Sequence, residues 1–493
     1  MRGIKRTVGH TFIYMLGLIL NRGVAFLLVP FYARALEPSV FAKLDLCMTT
    51  VLFLAPLFEL GMASAMLRFF HLYEDPEERL AATRTSFTFI LLAVSAFTAL
   101  VLGVANVLSV GVFGDEAGAS LIRLVGLTAA ITVVGNQVLA LLRAQEKSVS
   151  FAILNLVRSL VGPAAIILLV VRFDLGLYGV LWGEIAGLGV MMIAGIVMCR
   201  RWFGLTLSGK ALREMLAFGL PLLPMGLSTP IITMSDRYFL RIWVGFEELA
   251  VYSLGFKIAM IVTLLTRAFQ TAWPAAAYQI AKEEDATRSI ADIFRIVVVG
   301  ISAMALFLSV AAPELVQIVG GRAIYMPARA IVPWIAFSYA VYLCVLYVLT
   351  SLTIANKTGA VFLVVSGGCI AKILLNLALI KTYGTVGAAV STLAAFAVEL
   401  IVGYAVAQRI YPVPYPLRRI LLFTIAVTAS AVGAWSASRL SLGLSLALRV
   451  LVLAAFPVAA FGTGMIHRSE LRSVWRSIAP RIERFLPGRN PSP

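Results

Sequence analysis

Five basic residues lie inside stretches of sequence that are otherwise apolar: Arg22, Arg158, Lys257, Arg267 and Lys372. A cation in a low-dielectric slab is costly, and it is kept where it binds an anion or pairs with a neighbour. Arg22, beside Asn21, sits in the middle of the first apolar run, too deep to reach a headgroup easily. Lys257 and Arg267 share one run; as a helix it would set them ~15 Å apart along the axis and about 80° apart around it, so both can face one broad cavity at different depths. Arg158 has Asn155 one turn away, and Lys372 has Asn376 one turn away. These five are the candidate contacts for an anionic ligand. Each has a structural alternative: a buried pair with Glu59 for Arg22, snorkelling to headgroups for Arg267, and interhelical bonds or pairs with Glu184 or Glu399 for Arg158 and Lys372.

Asp236 and Arg237 are adjacent opposite charges closing another apolar run, a pattern that suits a gate or a fold-specific pair. Pro221, Pro224 and Pro230 interrupt the same run and make it the candidate hinge, or a static kink. Glu59, Glu184 and Glu399 are carboxylates within apolar segments and are the candidates for coupling to H+ or Na+. The four cysteines have no paired spacing and the three histidines lie far apart, so no metal and no cofactor is expected.

The elements that must hold these residues follow from composition. The chain is 61% hydrophobic and only 13% charged, against roughly 45–50% and about 25% in soluble domains. Apolar runs of about 20 residues recur along it. They lie near 11–33, 44–66, 85–108, 121–142, 151–171, 177–199, 214–236, 249–272, 293–312, 330–351, 359–380, 385–407, 418–437 and 445–466. The gaps are too short for a soluble catalytic domain. The net charge of +17 is spread through those gaps with no basic domain, which argues against a nucleic-acid partner.

The gaps on one side carry 25 Lys and Arg residues and those on the other carry 11, which places both termini in the cytoplasm. The first run continues past Pro30 without a cleavage site and reads as an uncleaved span. The tail from His467 sets Leu471, Val474, Trp475, Ile478, Ile482 and Phe485 at helical spacing against several arginines, as an amphipathic helix on the inner leaflet would.

The halves resemble each other. LLRAQEKSVS (141–150) aligns with SLTIANKTGA (351–360), bringing Lys147 onto Lys357. DLGLYGVLWGEIAG (174–187) aligns with TYGTVGAAVSTLAA (382–395), bringing Gly176 onto Gly384. FAKLDL (41–46) aligns with AVYSLG (250–255) at a similar offset. Six helices span that offset, so the repeats are parallel, as in transporters built from two bundles about an axis along the membrane normal. The expected fold is all-α and polytopic. It has about fourteen transmembrane helices: six-helix bundles over 1–205 and 206–410 around a central cavity, two additional helices over 411–466, and the basic tail over 467–493.

Several segments resemble one family. LILNRGVAFLLVPFYARALEPSVFAKLDL (18–46) resembles the opening of polysaccharide-biosynthesis flippases, with Ala42 in the usual glycine place and Leu44 in the usual tyrosine place. LFELGMASAMLRFF (57–70), the stretch FGLPLLPMGLSTPIITMSDRYFLRIWVGFEELAVYSLGFKIA (218–259) and AFQTAWPAAAYQ (268–279) are similar to later landmarks of that family. The resemblance covers most of 1–410. It is nearest to the Wzx-type oligosaccharide flippases and more distant from lipid II flippases and MATE drug exporters, all of one superfamily. It implies a non-enzymatic flippase that moves an undecaprenyl-pyrophosphate-linked oligosaccharide across a bacterial inner membrane by alternating access. Lipid II flippases carry cavity-lining arginines on helices 1 and 8, and Arg22 and Arg267 lie on the matching helices. The expected partners are the lipid-linked oligosaccharide, membrane lipids, H+ or Na+, and polysaccharide polymerase machinery. A MATE-like exporter of cationic drugs would favour an acidic, aromatic cavity. A membrane polymerase or ligase would need a large outer loop with catalytic arginine or histidine, which the short gaps do not provide.

Overall fold

The computed structural model describes residues 23–24, 26–437 and 442–466. Arg22 and the amphipathic tail lie outside the described residues. The described chain is helical. The first half comprises α1 (Phe26–Ala35), α2 (Pro38–Glu59), α3 (Met62–Leu72), α4 (Pro76–Gly103), α5 (Ala105–Phe113), α6 (Ala119–Ala144), α7 (Ser148–Ile167) and α8 (Gly176–Met198). The second half comprises α9 (Gly209–Gly219), α10 (Leu223–Met234), α11 (Asp236–Trp243), α12 (Phe246–Ala259), α13 (Thr263–Ile280), α14 (Ala286–Val310), α15 (Ala312–Gly320), α16 (Val332–Ile354) and α17 (Thr358–Ile410). The last pair is α18 (Leu417–Ala437) and α19 (Leu442–Gly462).

Among the described residues, 10 helices are long and apolar enough to cross a membrane. One of them, α17, is two crossings. Gly384 has φ 56° and ψ −133° in its middle, a backbone state only glycine takes readily. Beyond it the chain folds back, so that Lys372 on the first arm reaches Ser391 on the second at 2.9 Å. With this hairpin, the segmented crossings, the shorter apolar helix α1 and the α18–α19 pair, the architecture is consistent with the fourteen expected spans. Their outer faces carry large apolar side chains such as Leu363, Ile401 and Val171, each well over half exposed, as surfaces solvated by lipid tails require.

The internal duplication is visible in the backbone. Glu146 and Asn356 are both left-handed, at φ 57° and 55°. Each is followed by a lysine whose N–H closes the same turn, Lys147 to Leu142 O and Lys357 to Leu352 O, both at 2.9 Å. Gly176 and Gly384, paired by the sequence alignment, are also both left-handed, at φ 49° and 56°. Local chain reversals thus recur at the same places in the two bundles.

In the first bundle α6 is the central post, packed by α2, α3, α4 and α8. The α7–α8 pair crosses on glycines, the close approach that substitutes for a hydrophobic drive in lipid. A Cβ at Gly187 would come within 2.7 Å of Gly162 Cα. Gly187→Ala is therefore expected to destabilise the bundle by about 1–3 kcal/mol through overpacking. The check is a lowered unfolding midpoint of the purified protein, against no change for Gly189→Ala, where a Cβ meets open space. In the second bundle α16 is flanked by α12, α13, α14 and the α17 hairpin, and α18 and α19 pack on α14.

The seventh crossing is assembled from pieces. A 3-10 turn at Leu220–Leu222 separates α9 from α10, and Ser235 separates α10 from α11. Pro221 and Pro224 stand at the first of these breaks, and Pro230 lies inside α10. The piece before the break packs on α3 and α4 of the first half, while the piece after it packs on α17 of the second and on α2 of the first. Tyr73 OH donates to Glu214 Oε2 at 2.7 Å, and Arg68 lies 4.4 Å over the Phe218 ring, fastening α9 to the first half.

Candidate functional site

A buried polar cluster joins the two halves. It is built on Asp45, two turns into α2 of the first half, and on residues of α11, α12 and the α17 hairpin of the second. The break at Ser235 sets Asp236 and Arg237 in the first turn of α11, where both point inward and are fully buried. The Arg237 guanidinium bridges two carboxylates: Nε donates to Asp45 Oδ2 at 2.9 Å and Nη1 to Asp236 Oδ1 at 2.8 Å. Nη1 also donates to Thr233 O at 2.9 Å, and the guanidinium plane lies 4.1 Å from the Phe256 ring. Asp45 accepts two further bonds from α12, from Ser253 Oγ at 2.7 Å and from Lys257 Nζ.

On the other side of Arg237, Asp236 Oδ2 accepts from Tyr252 OH at 2.5 Å and from Lys372 Nζ at 3.3 Å. The Lys372 ammonium also bonds Ser391 at 2.9 Å and Thr392 at 2.6 Å, so its three protons are satisfied by three oxygens. Asn376 carries the network on, donating to Ser235 Oγ at 3.2 Å and accepting from Ser391 Oγ at 2.6 Å. Two carboxylates face three cations. A buried ion pair repays its desolvation only when its remaining lone pairs and protons are bonded, and here both carboxylates accept on both oxygens. The charge imbalance falls at the edge, on Lys257, whose side chain is 26% exposed.

On either side of the cluster along α2, more bonds cross between halves. Thr50 Oγ1 and Tyr238 OH are 2.9 Å apart. Arg322 donates to Leu36 O at 3.1 Å and to Arg34 O at 2.6 Å, and Arg34 donates to Ile318 O at 2.5 Å.

Of the five in-span cations, the cluster takes Lys257 and Lys372. Arg267 does not join it: a 3-10 turn at Met260–Val262 divides the eighth crossing, so Lys257 is on α12 and Arg267 is on α13, exposed, with Nη1 donating to Gln270 Oε1 at 3.2 Å. Arg158 is half-buried on α7, away from the cluster. Asp236 and Arg237 join it, as does Asn376. Glu59 and Glu184 are half-buried in the first half, at the end of α2 and on α8. Glu399, on the second arm of α17, lines a separate cavity of about 460 Å³ enclosed by α10, α13, α16 and α17.

Sequence reasoning missed Asp45, Tyr252, Ser253, Ser391 and Thr392. A signal for Asp45 exists, since it is the acid nearest the start of the second apolar run, but an acid there also suits an ordinary span boundary.

The sequence profile of the family described as "Polysaccharide biosynthesis protein" matches residues 8–277, and the chain belongs to that family. No curated protein matches the chain at significance. Among solved structures it is similar to the lipid II flippase MurJ in an inward closed conformation, with a TM-score of 0.72 at 11% identity over 90% of this chain and 98% of that one. It is also similar to an inward-facing multidrug resistance MATE family transporter of the MOP superfamily, with a TM-score of 0.62 at 16% identity over 81% and 94%. A third similar structure is a MOP superfamily transporter from Pyrococcus furiosus, described as having a binding pocket of reverse polarity. These likenesses establish the fold: a multi-pass membrane protein of two parallel six-helix bundles.

Proposed function

We propose that the protein is a flippase. Its cargo is an oligosaccharide on undecaprenyl pyrophosphate, carried from the cytoplasmic to the periplasmic leaflet of a bacterial inner membrane for O-antigen, capsule or exopolysaccharide assembly. The basic-residue asymmetry makes the Pro38 end of α2 the periplasmic end. The observation that carries the reading is the charge cluster there. It ties α2 of one half to α11, α12 and α17 of the other through bonds that can exchange for water or for an anionic headgroup. Alternating access needs such a tie to hold on one face and yield in the other state. The seventh crossing, docked on α3 and α4 through α9 and on α17 through α10 and α11, would flex at Pro221 and Pro224 as it does. The lipid tail stays in the bilayer while the polar head passes between the halves. The side chains bind and release, and no bond of the cargo is made or broken.

The exposed Arg267 and the partly exposed Lys257 suit a pyrophosphate, and Arg22 of the first span is the third proposed contact. A MATE-like cation-coupled drug exporter is the second reading, favoured by the aromatic cavity at Glu399. Deletion of the gene tests the two. The expected result is loss of surface glycan with lipid-linked precursor trapped on the inner leaflet of spheroplasts. Unchanged glycan with a new drug sensitivity would replace the flippase reading by the exporter.

A further inference from the structure

Glu399 stands apart from the charge cluster. It is 3% exposed, and its Oε2 has no hydrogen-bond partner among the described residues. The neighbouring helix makes room for it: a Cβ at Gly368 would come within 3.2 Å of Oε2. A buried carboxylate without a partner is expensive, and pairing with a cation removes most of that cost. The cavity it lines is walled by Phe269, Trp273, Tyr342 and Phe396. These rings are fixed. Phe269 and Trp273 are stacked with centroids 5.4 Å apart, Tyr342 and Phe396 lie 4.8 Å apart, and Trp273 Nε1 donates to Thr350 Oγ1 at 3.2 Å. Gln270 and Thr229 add polar side chains to the lining.

Flat aromatic walls, a few convergent polar groups and one anionic group describe a pocket for a small, flat-faced polar ligand that carries a positive charge. A proton alone would neutralise Glu399 but would give the rings and amides nothing to bind. Arg267 stands beside this cavity, bonded to Gln270 of its wall. A site with a guanidinium beside a carboxylate-bearing sugar-sized cavity suits a phosphate followed directly by a sugar. We propose that this cavity holds a sugar of the cargo bearing a free, protonated amino group, with Glu399 as its counter-ion. The inference rests on the flippase reading and narrows its substrate class to glycans with an unacetylated amino sugar near the pyrophosphate.

The test uses the full-length protein in phospholipid nanodiscs, titrated with octyl glucosaminide, octyl glucoside and octyltrimethylammonium. Binding is read from Trp273 fluorescence, as the difference between wild type and Trp273→Phe. The glucosaminide should bind about tenfold more tightly than the glucoside, as expected when one charge pair in a shielded site is gained. Glu399→Gln should bring the two within about twofold, and Gly368→Ala, which crowds Oε2 but keeps the carboxylate, should narrow the ratio in the same direction. Equal binding of the two glycosides to wild type would overturn the proposal. Octyltrimethylammonium binding as tightly as the glucosaminide would also overturn it, assigning the cavity to organic cations without a sugar. The ratio does not depend on transport, so its failure leaves the spheroplast result standing, and a negative spheroplast result leaves the ratio readable.

Discussion

Asp45→Asn should lower the unfolding midpoint of the purified protein sharply and abolish surface glycan, while Lys257→Met should leave the fold nearly intact. The difference follows from what each residue strands. Without the Asp45 charge, Arg237 remains 1% exposed between two helices and keeps Asp236, which Lys372 already shares, as its single anionic partner. Breaking a buried pair by removing one partner costs about 3–5 kcal/mol, most of it the uncompensated charge. Lys257 is a quarter exposed and can turn its ammonium to water, so Asp45 would lose one of three partners and keep Arg237 and Ser253. The loss expected for Lys257→Met is therefore nearer the ~1 kcal/mol of a partly exposed pair. The measurement is thermal unfolding of the three proteins in nanodiscs, with surface glycan scored in parallel. An Asp45→Asn protein as stable as wild type would show that the cluster does not hold the halves together, and the periplasmic tie would have to be sought at Arg322 and Arg34.

The crossings were legible because lipid imposes a simple rule: about 20 apolar residues per span, whatever the neighbours. The hairpin at Gly384 and the matching turn at Gly176 were legible too, since a left-handed residue between two apolar runs favours glycine in both copies. Lys372 and Asn376 were visible as polar residues one turn apart in an apolar run. What they bind was not. Asp45 meets Arg237, Ser253 and Lys257 across sequence separations of 192, 208 and 212 residues. Nothing in the local pattern of FAKLDL distinguishes an acid that anchors a cluster from one that ends a helix. The same limit hid the partition of the eighth crossing. A continuous helix would place Lys257 and Arg267 in one cavity, but the 3-10 turn at Met260–Val262 sends one into the cluster and the other toward Gln270. Arg158 and Lys372 sit on corresponding helices of the two repeats, yet only the second enters the cluster, where Asp236 on α11 accepts from it. Repetition preserved the backbone turns while the polar contacts diverged.

Gly61→Ala should be the most damaging single methyl group in the first half. Gly61 joins α2 to α3 with φ 71°, a conformation that costs an alanine roughly 1–2 kcal/mol. The larger penalty is steric. A Cβ there would lie 2.2 Å from the carbonyl oxygen of Gly219 and 2.8 Å from its Cα, so backbone, not a flexible side chain, must give way. Gly219 is the last residue of α9, immediately before the break at Pro221. Pushing it away loosens the contacts that hold α9 to the first half, those of Tyr73 with Glu214 and of Arg68 with Phe218. The seventh crossing would then be held to the first half only where α10 and α11 meet α2, and its cytoplasmic end would no longer move with that bundle. Gly226→Ala is the matched control on the same crossing, because its Cβ would meet only Pro56 Cβ at an ordinary 3.7 Å. The expected outcome is lost surface glycan and a lower unfolding midpoint for Gly61→Ala, with both near wild type for Gly226→Ala. If Gly61→Ala is as stable as wild type and still exports glycan, the α9 dock is dispensable, and the link between the bundles on this crossing rests on α10 and α11 against α2 instead.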